Sequence, residues 1–160
     1  MRALIVSDTH GWACKIKEVL ARTGPVDALL HCGDVQGEEE EIAQMIKGPV
    51  YMVAGNNDFF SELPGELEFC LEGQKVFLTH GHRYGVAMGV EILLEEAKSR
   101  NADLVFFGHT HVPFMRSYGE LTIANPGSLN YPRQRPRVPS YLLLDLDQTG
   151  KKEFRFCYLD

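Results

Sequence analysis

Apolar residues along this chain fall in short runs that stop abruptly at clusters of Gly, Asp, Asn and His. Ala3-Leu4-Ile5-Val6 ends at Ser7-Asp8-Thr9-His10-Gly11, the pattern of a buried strand leading into a polar loop. Ile16, Val19 and Leu20 then recur at helical spacing and stop near Gly24-Pro25, which predicts a helix ended by residues that cannot continue it. The unit repeats. Ala28-Leu29-Leu30 leads into Gly33-Asp34, a helix is predicted from Glu38 to Ile46, and Val50-Tyr51-Met52-Val53 leads into Gly55-Asn56-Asn57-Asp58.

From Glu66 to Thr79 the pattern changes. Leu67, Phe69 and Leu71 alternate with polar residues, Glu72-Gly73-Gln74 makes a turn, and Val76-Phe77-Leu78 follows, which predicts a hairpin. Val86, Val90, Leu93, Leu94 and Ala97 predict an amphipathic helix, and Leu104-Val105-Phe106-Phe107 a buried strand running into Gly108-His109-Thr110-His111. Short antiparallel pieces are expected around Gly119-Glu120, over Tyr141 to Leu146 and over Glu153 to Leu159, with a turn at Asp147 to Gly150. Alternating β and α in the first half and hairpins in the second predict a mixed β-sandwich flanked by helices. Open α/β sheets place ligands at the carboxyl ends of their strands, and the polar clusters lie at those ends.

Composition narrows the picture. A chain of 160 residues with 44% hydrophobic content suits one compact domain spanning 1–160. Asp and Glu number 22 against 16 Lys and Arg, a net charge of −6, so nothing beyond a local patch would attract a polyanion, and nucleic acid is disfavoured as a partner. The apolar stretch Ala3 to Val6 is too short for a signal sequence or a membrane span, so a cytoplasmic protein is expected. Cys14, Cys32, Cys70 and Cys157 are widely spaced with no Cys-x-x-Cys pair and are read as reduced packing residues.

All six histidines, His10, His31, His80, His82, His109 and His111, fall within or beside the strand-end clusters, together with Asp8, Asp34 and Asn56. Asp8 and His10 are two apart, as are His80 and His82, and His109 and His111. On an extended segment such pairs face the same side, as a chelate needs. Each element is weak alone, since a Gly-Asp turn is usually only a turn and a lone His is more often a satisfied core residue. Their order is the stronger signal. Asp8-x-His10, Gly33-Asp34, Gly55-Asn56-x-Asp58, His80-Gly81-His82 and Gly108-His109-x-His111 together resemble the five-block signature of the calcineurin-like metallophosphoesterases.

The resemblance is narrower to the small YfcE-type phosphodiesterases of that superfamily, from Met1 through Leu146. It is carried by Val6 to Gly11, His31 to Val35, Phe107 to His111 and Asn125-Pro126-Gly127-Ser128. It implies an α/β fold, a four-layer α-β-β-α sandwich of two mixed sheets flanked by helices, with metals at the shared strand ends. It implies a metal-dependent phosphoesterase, most specifically a phosphodiesterase, that hydrolyses a small-molecule phosphate ester with a water or hydroxide bridging two divalent ions. Carried over by position, the resemblance puts Asp8, His10, Asp34 and His111 on one metal, and Asp34, Asn56, His80 and His109 on the other, with Asp34 as the bridge. Oxygen and imidazole ligands without thiolate suit Mn, taken first here, or Zn, Ni, Fe or Mg. Two divalent ions with two carboxylates leave roughly +2, a charge suited to phosphate.

One position departs from the wider pattern. Asn57 stands where many members have a histidine that protonates the leaving group; the YfcE-type branch also lacks it. The catalytic set expected is therefore Asp34 and Asn56, with His82 or a metal-bound water as an alternative proton source, and Asn57, Ser128 and Arg133 are expected substrate contacts. Ser128 lies in a loop of small residues whose amides could approach an anion, and Arg133 in a segment with Arg135 and Arg137 that offers bidentate phosphate contacts. Asp58 is read as a loop-capping carboxylate and His31 as a buried support. Two rivals remain. One is a non-catalytic interaction scaffold of the retromer-subunit type, whose pocket lacks the full ligand set present here. The other is a nuclease or cyclic-nucleotide phosphodiesterase with the same metal chemistry. Self-association as a homo-oligomer is left open.

Overall fold

The computed structural model describes residues 1–160. Its elements are β1 (Arg2–Val6), α1 (Cys14–Thr23), β2 (Ala28–His31), α2 (Glu39–Ala43), β3 (Val50–Met52), β4 (Glu66–Leu71), β5 (Gln74–Thr79), a 3₁₀ turn at His82–Tyr84, α3 (Glu91–Ser99), β6 (Leu104–Phe106), β7 (Pro113–Tyr118), β8 (Leu121–Pro126), β9 (Ser140–Leu146) and β10 (Lys152–Tyr158). They form two five-stranded sheets, ordered β10-β9-β1-β2-β3 and β4-β5-β6-β8-β7. In the first, β1, β2 and β3 are parallel and β9 and β10 antiparallel. In the second, β5, β6 and β8 are parallel, with antiparallel β4 and β7 at the edges.

Residue parity along the strands builds the layers, because successive side chains of a strand face opposite sides. Ala3, Ile5, Ala28, Leu30, Val76, Leu78, Leu104, Phe106, Leu142 and Leu144 meet between the sheets. Their neighbours Leu4, Val6, Leu29 and Leu143 face outward onto Ile16 and Val19 of α1 and Ile42 of α2. Phe77, Val105 and Ile123 face the other way onto Leu93 and Ala97 of α3. The result is the expected four-layer α-β-β-α sandwich. Strands buried on both faces read as unbroken apolar runs rather than alternating ones, which is why β1, β2 and β6 are so plain in the sequence.

Several local expectations need correction. The second helix stops at Ala43 instead of Ile46; Gln44 and Met45 donate to Glu41 and Ile42 three residues back, the tighter pattern of a closing turn. Beyond it Gly48 must reach the β2 side, where an added Cβ would stand 1.9 Å from the Asp27 carbonyl oxygen. The third helix begins at Glu91, not Val86, because Gly85 and Gly89 take positive φ of 61° and 140°. Val86 and Val90 still join the core, so their spacing recorded burial without helix. The β8 segment, expected as an antiparallel piece, pairs in parallel with β6 on one side and antiparallel with β7 on the other. All four cysteines are free, but Cys14 and Cys70 are exposed, so only Cys32 is fully buried as expected.

The three parallel strands of each sheet point their carboxyl ends to one edge of the sandwich. There Asp8 N–H donates to the Gly33 carbonyl at 3.0 Å within the first sheet, Gly108 N–H to the His80 carbonyl at 3.0 Å within the second, and Leu129 N–H to the Ser7 carbonyl at 3.2 Å from one sheet to the other. Packing of the inter-sheet core should dominate stability. Leu144, fully buried between the sheets, is expected to cost about 2–5 kcal/mol when cut to Ala, whereas Ile92→Ala, at a side chain 63% exposed, should change stability by less than about 0.5 kcal/mol. Urea unfolding of the two variants checks this, and equal losses would refute the assignment of the core.

Candidate metal centre

The loops leaving β1, β2, β3, β5 and β6 converge at that edge, and their backbone is unusual. Eight non-glycine residues have positive φ, and five of them are Asp8 (55°), His10 (47°), Asp34 (58°), His109 (68°) and His111 (59°). The two-residue spacing of Asp8 with His10, and of His109 with His111, predicts extended exits, whereas the backbone at all four is left-handed. Such conformations are disfavoured for residues with a Cβ and collect at functional sites, where surrounding contacts hold them.

Those contacts can be followed atom by atom. Asp58 Oδ2 accepts N–H bonds from Gly55 (2.8 Å), Asp34 (2.9 Å) and Val35 (3.2 Å), and its Oδ1 accepts from Gln36 (2.7 Å). One carboxylate thus fastens the β2 loop to the β3 loop. The fit leaves no room at Gly55, where an added Cβ would lie 2.1 Å from Asp34 Oδ1. On the other sheet, Asn125 Nδ2 donates to the Gly108 carbonyl (2.8 Å) and to Thr110 Oγ1 (3.0 Å), and its Oδ1 accepts the Gly127 N–H (2.8 Å).

Around this frame the side chains close into one cluster. Ligand atoms of Asp8, His10, Asp34 and His111 lie within 4.8 Å of one another. Asp8 Oδ1 is 3.1 Å from His111 Nε2, 3.8 Å from His10 Nε2 and 3.9 Å from His80 Nε2. Asp34 Oδ2 is 3.7 Å from His10 Nε2 and 3.5 Å from His80 Nε2. Asn56 Oδ1 stands 3.0 Å from both His80 Nε2 and His109 Nδ1. All seven residues expected from the sequence as ligands are therefore brought together, in two overlapping groups with Asp34 close to both.

The outer nitrogens fix the rings. His10 Nδ1 donates to Gln36 Oε1 (3.1 Å), His80 Nδ1 to the Cys32 carbonyl (2.6 Å) and His111 Nδ1 to the Tyr131 carbonyl (2.7 Å). A carbonyl oxygen can only accept, so each ring carries a proton on Nδ1 and turns Nε2 to the centre, where the nitrogen can bind a cation once it is unprotonated. Asp8 Oδ2 accepts from the Ser7 hydroxyl (2.6 Å) and the His109 N–H (3.3 Å), while the fully buried Oδ1, though close to three imidazoles, is aligned with no hydrogen-bond donor. A buried anionic oxygen with no aligned donor, facing the Nε2 atoms of three imidazoles, fits a cation, whether a metal ion or a proton on His111.

Electrostatics agree with that crowding. Burial would raise the Asp8 carboxyl, but His111, His80 and the Ser7 hydroxyl outweigh it and hold it below its ordinary value. Burial pulls the His111 imidazole down, yet Asp8 and the Tyr131 carbonyl leave it raised. Burial and the neighbouring His80 lower both His82 and His109.

The remaining expected residues fare differently. His82 lies in the cluster, its ring centroid 5.4 Å from His80 and 6.1 Å from His109, with Nδ1 buried and unbonded. Asn57 turns inward, its backbone N–H on Asp34 Oδ1 (2.9 Å) and its side-chain amide on Oδ2 (2.8 Å). Arg133 is exposed and, with Arg137, lines a cavity beside His10 and His111. Ser128 is a correction: it is fully buried, donating to the Asp8 carbonyl (3.0 Å) and accepting from Asn130 (3.2 Å) and Tyr131 (2.9 Å), so its hydroxyl has no face left for substrate. Sequence reasoning did not single out Ser7, Gln36 or Asn125 individually. Ser7 could have been suspected from its place beside Asp8; Gln36 and Asn125 act across loops and carry no local signal.

His31 provides a test of the frame. It accepts the Gly33 N–H at Nδ1 (3.1 Å) and donates from Nε2 to Thr9 Oγ1 (2.9 Å). Burial, above all, pushes its pKa down from 6.5 to about 4. Between those values an unfolded chain binds a proton that the folded one refuses, so this group leaves stability untouched above about 6.5 and lowers it as pH falls toward 4. The loss should reach about 3 kcal/mol. Urea midpoints measured from pH 8 to pH 4 should fall more steeply in the wild type than in His31→Gln; parallel curves would refute it.

Comparison with known proteins places this geometry. Residues 1–149 match the calcineurin-like phosphoesterase superfamily domain. The chain is 33% identical to the probable metallophosphoesterase YsnB of Bacillus subtilis, over 92% of this chain and 85% of that protein. It is 30% identical to the phosphodiesterase YfcE of Escherichia coli, over 92% of this chain and 89% of that one. Among solved structures, Vps29 of Entamoeba histolytica complexed with Zn²⁺ superposes with a TM-score of 0.79 over 99% of each chain, at 22% identity, a likeness of fold. The chain belongs to the calcineurin-like phosphoesterase superfamily.

Proposed function

We propose that the protein is a two-metal phosphodiesterase, and that the observation carrying this reading is the pair of overlapping ligand groups around Asp8 Oδ1 and Asp34 Oδ2. Asp8, His10, Asp34 and His111 would hold one divalent ion, and Asp34, Asn56, His80 and His109 the other, with Mn²⁺ the first candidate for an oxygen and imidazole set. Bound there, such ions would supply Lewis acidity toward phosphoryl oxygens and would lower the pKa of a bound water. The chain's own work is to aim the lone pairs: the Cys32, Gln36 and Tyr131 oxygens orient three rings, and Asn57 and its N–H hold the Asp34 carboxylate from outside. Support for the diester class comes from the likeness to YfcE. The scaffold reading is weakened by the complete donor set.

Chelator treatment should abolish hydrolysis of bis-p-nitrophenyl phosphate, and Mn²⁺ or another transition ion should restore it. Asp34→Asn should lower kcat/KM at least about 100-fold, while Ser128→Ala, which only loosens the loop under Asp8, should stay within about 10-fold. Full turnover in excess chelator by protein shown metal-free would overturn the mechanism; no turnover with metal bound would favour the scaffold.

Asn57 has no acidic proton and its amide is engaged with Asp34, so departing oxygens leave without an acid from this position. Rates should depend steeply on leaving-group pKa, with nitrophenyl esters cleaved readily and alkyl esters poorly. Asn57→His should raise turnover on alkyl esters more than on nitrophenyl esters. A flat dependence in the wild type would assign the proton to another group, with His82→Ala the substitution that identifies it.

A further inference from the structure

The cluster has two flanks of opposite character. On one, a cavity of about 540 Å³ is lined by His10, His111, Tyr131, Pro132, Arg133 and Arg137, a volume typical of small-molecule sites. On the other, a groove is lined by Asn57, Phe59 and Phe60 together with Glu39, Glu40 and Glu62. The arginines of the first flank are free: ion pairs in this protein engage Arg2, Arg22, Arg100 and Arg155 and leave Arg133 and Arg137 without a carboxylate. Tyr131 stands edge-on to His10 at 5.2 Å between centroids and is 55% exposed, so part of its ring is open to the cavity. Its carbonyl holds His111 Nδ1 (2.7 Å), and the Arg133 N–H bonds the His111 carbonyl (3.1 Å). The cavity wall and the candidate ligand His111 are thus joined by two hydrogen bonds.

Charge matching says what such a cavity wants. With two divalent ions in place the cluster carries roughly +2, and the guanidinium groups take this flank to about +4. A simple phosphodiester brings only about −1, whereas a further monoester phosphate adds about −1.5 to −2. Guanidinium forks suit that group, and an exposed tyrosine face suits a planar base. The glutamates of the opposite groove would repel a second anion.

We propose that the Tyr131–Arg133–Arg137 cavity is a specificity subsite for a second phosphate and its attached nucleoside, so that the preferred substrates are nucleotide esters carrying a phosphate beyond the scissile one. This rests on the two-metal reading. A matched pair of esters tests it: thymidine 5′-(p-nitrophenyl phosphate) with and without a 3′-phosphate, which share base and leaving group. The wild-type protein loaded with Mn²⁺ should show kcat/KM at least about 10-fold higher for the 3′-phosphorylated ester. In Arg133→Ala/Arg137→Ala that ratio should fall to near 1, and Tyr131→Ala should raise KM for both nucleoside esters. Calorimetric binding of thymidine 3′,5′-bisphosphate to the protein in Mn²⁺ buffer gives a readout independent of turnover, with Kd at least about 10-fold weaker in the double variant. Circular dichroism confirms that the variants fold. Hydrolysis of bis-p-nitrophenyl phosphate together with a 3′-phosphate ratio near 1 in the wild type, or equal in the double variant, overturns the subsite alone. Absent hydrolysis with the binding difference intact would sink the two-metal reading and keep the cavity as an anion site.

Discussion

Two carboxylates, Asp8 and Asp34, are buried to 0% and 2% exposure at the edge where the two sheets meet, and everything around them follows from making that tolerable. Each buried carboxylate loses hydration worth several kcal/mol. Donors recover part of this: Ser7 and the His109 N–H serve one oxygen of Asp8, and Asn57 serves both oxygens of Asp34. What they leave over is Asp8 Oδ1, which faces the Nε2 atoms of three imidazoles and has no aligned donor. The orientation of those rings is set on their far sides by carbonyl oxygens, so the cluster is built to receive positive charge rather than to satisfy itself.

That requirement explains the loop geometry. Five cluster residues hold left-handed backbone at a cost of order 1–3 kcal/mol each, and rigid neighbours must sustain it. Asp58 with four N–H bonds does so for the first sheet, and Asn125 with Ser128 for the second. Asn125 and Ser128 are fully buried, and Asp58 is partly so. They govern where the chemistry-bearing atoms stand, and the close approach at Gly55 leaves the fastening no slack.

Charge is then graded outward from the cluster. The protein as a whole is acidic, yet Arg133 and Arg137 line one cavity beside the centre and Glu39, Glu40 and Glu62 another. A ligand entering this field is oriented before it reaches the centre, because the same substrate cannot present an extra anion to both sides. Recognition therefore resides in loops carried on rigid strand ends.

Sequence by itself showed most of the strands and a mixed β-sandwich flanked by helices, because strands buried on both faces need unbroken apolar runs, while the four layers and the seven-residue ligand set followed from the family resemblance carried by the polar motifs at those strands' carboxyl ends. Six histidines beside Asp8, Asp34 and Asn56 were legible for the same reason. The tertiary structure alone decided the roles of Ser128, Asn57 and Gln36, since each depends on a partner on another loop. It also decided where the helices begin and end: Val86 and Val90 have helical spacing, but Gly85 and Gly89 turn the backbone before Glu91. Likewise, the two-residue spacing of Asp8 and His10 suggested an extended chelate, whereas contacts from the β2 loop hold them in left-handed backbone. Periodicity encodes which side chains are buried, a property of one segment against its core; ring orientation, loop conformation and the free state of Arg133 and Arg137 are properties of what the rest of the chain places beside them.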